Sequence, residues 1–119
     1  MHFKNKFQFF QLNKKIFIEE DNGYYFDPIR EDSVTSVNSY ESCKDNIIKH
    51  RNLSLKAFKS ASTIFLVLGL NEVWYDKVKE VHWGVKPSNN IINKNQKRFE
   101  VKNLDYKYNL ENLQNIITN

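Results

Sequence analysis

Residues 62 to 74, STIFLVLGLNEVW, hold the most apolar run of the chain, residues 64–68 with Leu70 beyond Gly69. The run is rich in β-branched and large apolar residues and does not alternate with polar ones. That is the signature of a strand buried on both faces, which belongs inside a parallel sheet covered by helices. It is far too short to span a bilayer, which takes about 20 apolar residues. Such a strand needs a neighbour along each edge and helices above and below it. No second run of this type exists in the 119 residues. The expectation is therefore an α/β chain that forms part of a larger sheet.

The remaining segments supply peripheral elements. KIFIEEDNGYYFDP reads as a hairpin of residues 16–18 and 24–26 around Asp21-Asn22-Gly23, because an Asn-Gly pair suits a turn with positive φ. Asp27-Pro28 closes it, since proline restricts itself and its neighbour. A helix is expected from about 39 to 60. Asn38 with Glu41 offers a capping box, with Ser39 as the alternative cap. Cys43, Ile47, Ile48, Leu55 and Phe58 recur at roughly helical spacing, and Asp45 and Lys49 form an i,i+4 pair on the wet side. VWYDKVKEVHWGVKP reads as a second hairpin or a strand-loop-strand excursion, ended by Gly84 and Pro87. The asparagine-rich stretch that follows is irregular, with a short strand at 99–101. Leu110, Leu113, Ile116 and Ile117 share one face of a last helix that Asn109 would cap.

Charge and cysteine content narrow the function classes. The net charge of +4 comes from 18 basic and 14 acidic residues without a block of five like charges. That pattern is a solvated surface, so neither nucleic acid nor a membrane is expected as a partner. The single cysteine, Cys43, excludes an intrachain disulfide and favours a reducing compartment. The N-terminal residues break their apolar side chains with lysine and asparagine, unlike a secretory signal, so a cytoplasmic location is expected. His2, His50 and His82 have no metal-ligand spacing, and no Gly-rich phosphate loop is present. Neither a metal nor a cofactor is expected.

Gly69-Leu70-Asn71-Glu72 is the constellation that points to chemistry. Ligands of open α/β sheets sit beyond the carboxyl ends of the strands. A glycine there admits close backbone approach, and an asparagine amide can hold developing negative charge on an oxygen. A strand-ending turn favours the same two residues. STIFLVLGLNEVW also resembles the TLGLTEAW segment of the GSCFA family, a group in the SGNH/GDSL hydrolase superfamily. YYFDPIRED is similar to that family's DPFRP segment, and residues 39–74 resemble its helix with an Arg-x-x-H-L-like stretch before the strand. The resemblance is strongest over residues 24–118 and treats 1–119 as a single incomplete domain.

The resemblance implies a flavodoxin-like, SGNH-type three-layer sandwich and serine-dependent ester chemistry. In that superfamily a serine near the first strand attacks an acyl group, a glycine and an asparagine complete the oxyanion hole, and a late histidine is the base. By resemblance Asn71 and Gly69 are oxyanion-hole residues and Glu72 supports them. Asn71 stands where the family has threonine, nearer the wider superfamily, while Glu72 follows the family. The Gly-Ser-Cys-Phe-Ala motif itself does not occur in the sequence; Ser42-Cys43 lies in the expected helix. The late histidine region is not found either. The expectation is a truncated or split relative of serine esterases and acyltransferases, inactive alone, with a complementing chain as partner. An acylated carbohydrate or other ester would be the substrate of a complete version. The rival is a small non-catalytic binding module that uses its open sheet edges. Cys43 reads as a buried helix residue rather than a nucleophile. His82 reads as structural rather than as a base, and Arg30 and Arg51 as fold-internal salt bridges or anion ligands. Trp74, Tyr75 and Trp83 read as hairpin packing or, less simply, a sugar-stacking surface.

Overall fold

The computed structural model describes residues 15–67 and 71–118. The first hairpin pairs β1 (Glu19–Asp21) with β2 (Tyr24–Phe26), Glu19 opposite Phe26. Asn22 and Gly23 turn the corner with φ of 52° and 82°. Positive φ at both central residues is what a two-residue hairpin loop demands, and Asn-Gly supplies it at least steric cost. The first strand starts three residues later than the apolar pattern indicates. On its other edge Tyr25 exchanges backbone hydrogen bonds of 2.7 and 2.9 Å with Val37.

Between them lie the buried Asp27-Pro28 corner and α1 (Asp32–Thr35). The long helix α2 (Tyr40–Ser60) follows. Its cap is Ser39, whose Oγ accepts the Ser42 N–H at 3.1 Å. The helix buries Cys43 and Ile47 and sets the edge of Tyr40 against Tyr25, ring centroids 6.0 Å apart.

The second sheet is antiparallel throughout, in the order β4–β3–β5, from β3 (Glu72–Asp76), β4 (Val81–Trp83) and β5 (Phe99–Asn103). Trp74 lies opposite Trp83 on one side and Val101 on the other. A short helix α3 (Asn89–Lys94), absent from the sequence expectation, is capped by Ser88. The closing helix α4 (Tyr106–Thr118) starts one turn earlier than expected. Asp105 accepts the Tyr108 N–H at 2.8 Å, so Asn109 lies inside the helix rather than at its cap. The core forms where the two sheets and α3 meet: Phe26, Trp83 and Ile91, backed by Trp74, Val81 and Phe99. The aromatic rings meet edge to face, with Trp83 and Phe99 at 5.2 Å, the arrangement ring quadrupoles favour.

Helices combined with small sheets place the chain in the α/β class. Among the described residues, the expected parallel strand buried on both faces does not form. Residues 64–67 join no strand, and Phe65 and Val67 are 86% and 88% exposed. Every paired strand among the described residues is antiparallel. Residues 64–67 have no ladder partner among the described residues, and Phe65, Leu66 and Val67 are exposed, so the burial that the pattern demands goes unmet at those side chains. No helix among the described residues is long and apolar enough to cross a membrane.

Candidate functional site

Of the residues singled out in the apolar run, Gly69 lies outside the described residues. Asn71 and Glu72 are exposed at the entry to β3. The Asn71 carbonyl accepts the Leu104 N–H at 2.6 Å, joining the strand entry to the end of β5. Its side-chain oxygen accepts a long 3.4 Å hydrogen bond from Asn109 Nδ2 on α4. The amide is thereby held by its acceptor end, and its N–H₂ finds no acceptor among the described residues. Glu72 pairs through its backbone with Asn103, and its carboxylate forms no ion pair among the described residues.

Among the described residues, nucleophile and base candidates are few. The Ser54 hydroxyl lies 3.4 Å from His50 Nε2 on the outer face of α2. Among the described residues, this loose i,i+4 contact has no third group to orient the ring. His82 packs on Tyr75, ring centroids 4.9 Å apart, with Lys102 Nζ over the other ring at 4.1 Å. Cys43 is 1% exposed; burial, and secondarily the nearby Asp27 charge, push its thiol pKa up. A raised thiol pKa lowers the thiolate fraction that nucleophilic attack requires. No group of three His, Cys, Asp or Glu side chains able to hold a metal lies among the described residues.

The strongest electrostatic feature centres on a residue that no local pattern singles out. Arg98, just before β5, donates from Nη2 to Asp76 Oδ2 and to Glu19 Oε2, both at 2.6 Å. Its Nε reaches Asp76 at 3.0 Å and its Nη1 reaches Glu19 at 3.1 Å. Lys79 adds a 2.8 Å bond to Glu19 Oε2. Asp76 has no solvent exposure, and its second oxygen accepts the Val78 and Lys79 N–H groups, each at 3.0 Å. Burial alone raises the Asp76 and Glu19 carboxyl pKa values. The hydrogen bonds from Arg98, with Lys79 on both, outweigh that, and both groups lie below their ordinary range. The guanidinium also lies over the Phe99 and Trp83 rings. Four charges from β1, β3, the hairpin loop and the approach to β5 thus clamp the first hairpin onto the second sheet. The cluster's polar atoms are turned onto one another, which suits a structural role.

A second clamp forms the DPIR segment. Asp27 accepts the Ile29 N–H and the Arg30 Nε–H, both at 2.9 Å. Its own N–H donates to the buried Thr35 hydroxyl. Gly84 N donates to the Pro28 carbonyl at 3.0 Å, tying this corner to the end of β4. Arg51 donates to the Lys15 carbonyl. Of the salt bridges expected within the fold, Arg30 forms one through its Nε alone, while this Arg51 bond goes to a backbone carbonyl.

A family model matches residues 2–119, essentially the whole length of the sequence. The chain belongs to the GSCFA family. No curated protein and no solved structure matches it. Within this GSCFA chain, the segments that carried the resemblance become the DPIR corner, α2 and the entry to β3. Gly84 ties the first of these to the end of β4.

Proposed function

We propose that this GSCFA chain is related to SGNH-type serine esterases and acyltransferases, and that by itself it turns over no ester. Asn71 is one oxyanion donor of a site whose serine and histidine come from a complementing chain. The observation that carries this reading is the Asn71 amide, held through its oxygen by Asn109 with its N–H₂ left to donate. Among the described residues, no oriented serine–histidine pair accompanies it. Nucleophilic catalysis needs serine and base within hydrogen-bond reach, and losing either removes most of the rate. Once such a site is complete, loss of an oxyanion donor costs about 2.7–4 kcal/mol in the barrier. The substrate of the completed site is an acylated carbohydrate or a similar ester.

The purified 119-residue chain is expected to leave p-nitrophenyl acetate at its buffer hydrolysis rate. Turnover above buffer that disappears in Ser54→Ala or His50→Ala would overturn the reading. A non-catalytic interaction module is favoured by a different observation, the exposure of Phe65 and Val67. Size-exclusion and hydrogen exchange separate the two. A well-protected monomer supports the self-sufficient module, whereas a weakly protected or aggregating chain supports a fragment awaiting its complement.

A further inference from the structure

A groove of about 220 Å³ runs between the DPIR corner and the outer face of α2. Arg30 and Val34 form one wall; Asn46, Lys49, His50 and Leu53 form the other. No carboxylate lines it. Arg30 is anchored by its Nε on Asp27, which fixes the plane of the guanidinium. Its terminal nitrogens then find no acceptor among the described residues. The side chains of Asn46 and Lys49 likewise have no partner there, and the i,i+4 pair expected between Lys49 and Asp45 does not form. At the same groove Val34 and Leu53 are 75% and 56% exposed. Cationic and amide donors that lack acceptors, beside uncovered apolar side chains, describe a complement to an oxyanion carrying an apolar group.

We propose that this groove binds a phosphomonoester with an apolar substituent. The Arg30 fork and the Lys49 ammonium hold the phosphoryl oxygens, since planar and point-charge donors from two walls match a tetrahedral dianion. Asn46 and His50 donate to the same group, and Val34 and Leu53 cover the substituent. The site is separate from Asn71 and does not depend on the ester chemistry proposed for it.

The test is titration of the full-length, isotope-labelled chain with phenyl phosphate, inorganic phosphate and sodium chloride at matched ionic strength. Saturable amide shifts confined to the DPIR corner and residues 46–53 are expected, with phenyl phosphate binding tighter than inorganic phosphate. Lys49 is exposed and unpaired, so Lys49→Ala should fold normally and weaken binding at least about tenfold, the scale of one charged hydrogen bond. Leu53→Ser should erase the preference for phenyl phosphate while retaining inorganic phosphate. Flotation with vesicles containing phosphatidic acid, abolished by Lys49→Ala, would assign the phosphate to a lipid headgroup; binding of phenyl phosphate without flotation assigns it to a soluble ester. Shifts reproduced by sodium chloride, or affinity unchanged in Lys49→Ala, would overturn the proposal.

Discussion

Arg98→Met removes the one cation shared by two buried carboxylates while keeping most of the side chain's volume. Asp76 has no exposure and Glu19 only 7%. Breaking a buried ion pair by deleting one partner costs about 3–5 kcal/mol, because the remaining charge is left uncompensated. Two features favour the low end. Lys79 still reaches Glu19, and two backbone N–H groups still reach Asp76. The expected loss at pH 7 is therefore about 3 kcal/mol, a fall of roughly 1–3 M in urea midpoint at the usual m-values. The pH dependence carries the stronger test. In the parent chain both carboxyl pKa values are depressed, so their stabilisation is present above the ordinary carboxylate range and is lost as pH falls through the folded values. In Arg98→Met, burial is no longer outweighed by the guanidinium, and protonation relieves the penalty instead. The stability gap between the two proteins should be full at pH 7 and shrink on acidification, first as the variant's carboxyls protonate above the ordinary carboxylate range and then as the parent's protonate below it. Urea melts at pH 7 and pH 3, followed by circular dichroism, measure both quantities. A cost below about 1 kcal/mol at neutral pH, or an equal cost at both pH values, would refute a buried clamp. The double variant with Asp76→Asn should cost less than the sum of the singles by about 0.5–3 kcal/mol.

Two further predictions follow from close approaches in the structure. A Cβ on Gly84 would lie 1.9 Å from the Ile29 carbonyl oxygen, so Gly84→Ala must push the DPIR corner off β4. The expected loss is at least about 1–3 kcal/mol in chemical denaturation, and an unchanged midpoint would contradict the packing. Cys43, buried with a raised thiol pKa, should react with a disulfide reagent only as fast as the domain opens. Release of the coloured thiolate should become fast in denaturant, whereas rapid reaction of the native chain would revive the nucleophile assignment.

What the sequence disclosed about this fold divides by distance along the chain. The Asn22-Gly23 turn, Ser39 as the alternative to an Asn38 cap, and the existence of a second hairpin within residues 73–87 each depend on residues within a few positions of one another. Those features could be read before any tertiary contact was known. The charged clamp joins Arg98 to Glu19, 79 residues apart, and Lys79 to Glu19, 60 apart. Nothing local distinguishes those residues from a solvated surface. The one available hint was that Arg98 is one of three arginines among many lysines and stands beside an aromatic strand residue. The candidate site was legible only through family resemblance. Its amide is described, its glycine lies outside the described residues, and the anion groove draws on two segments that no spacing rule connects.

The apolar run shows how far such a pattern can be taken. It states what residues 64–67 require, burial on two faces, without saying which atoms supply it. Covering Phe65 and Val67 would contribute about 1.5–3 kcal/mol for each side chain. Association costs an estimated 4–15 kcal/mol in lost translational and rotational freedom. Two exposed side chains therefore cannot hold a complementing chain on their own. A stable complement must bury at least about 1,000 Å² in total, so its footprint has to extend well beyond this run. Exposed Tyr106, Tyr108 and Leu110 on α4 stand on the helix that also holds the Asn71 amide. The complementing chain proposed above would therefore have to reach from residues 64–67 across Asn71 to α4 to approach that area.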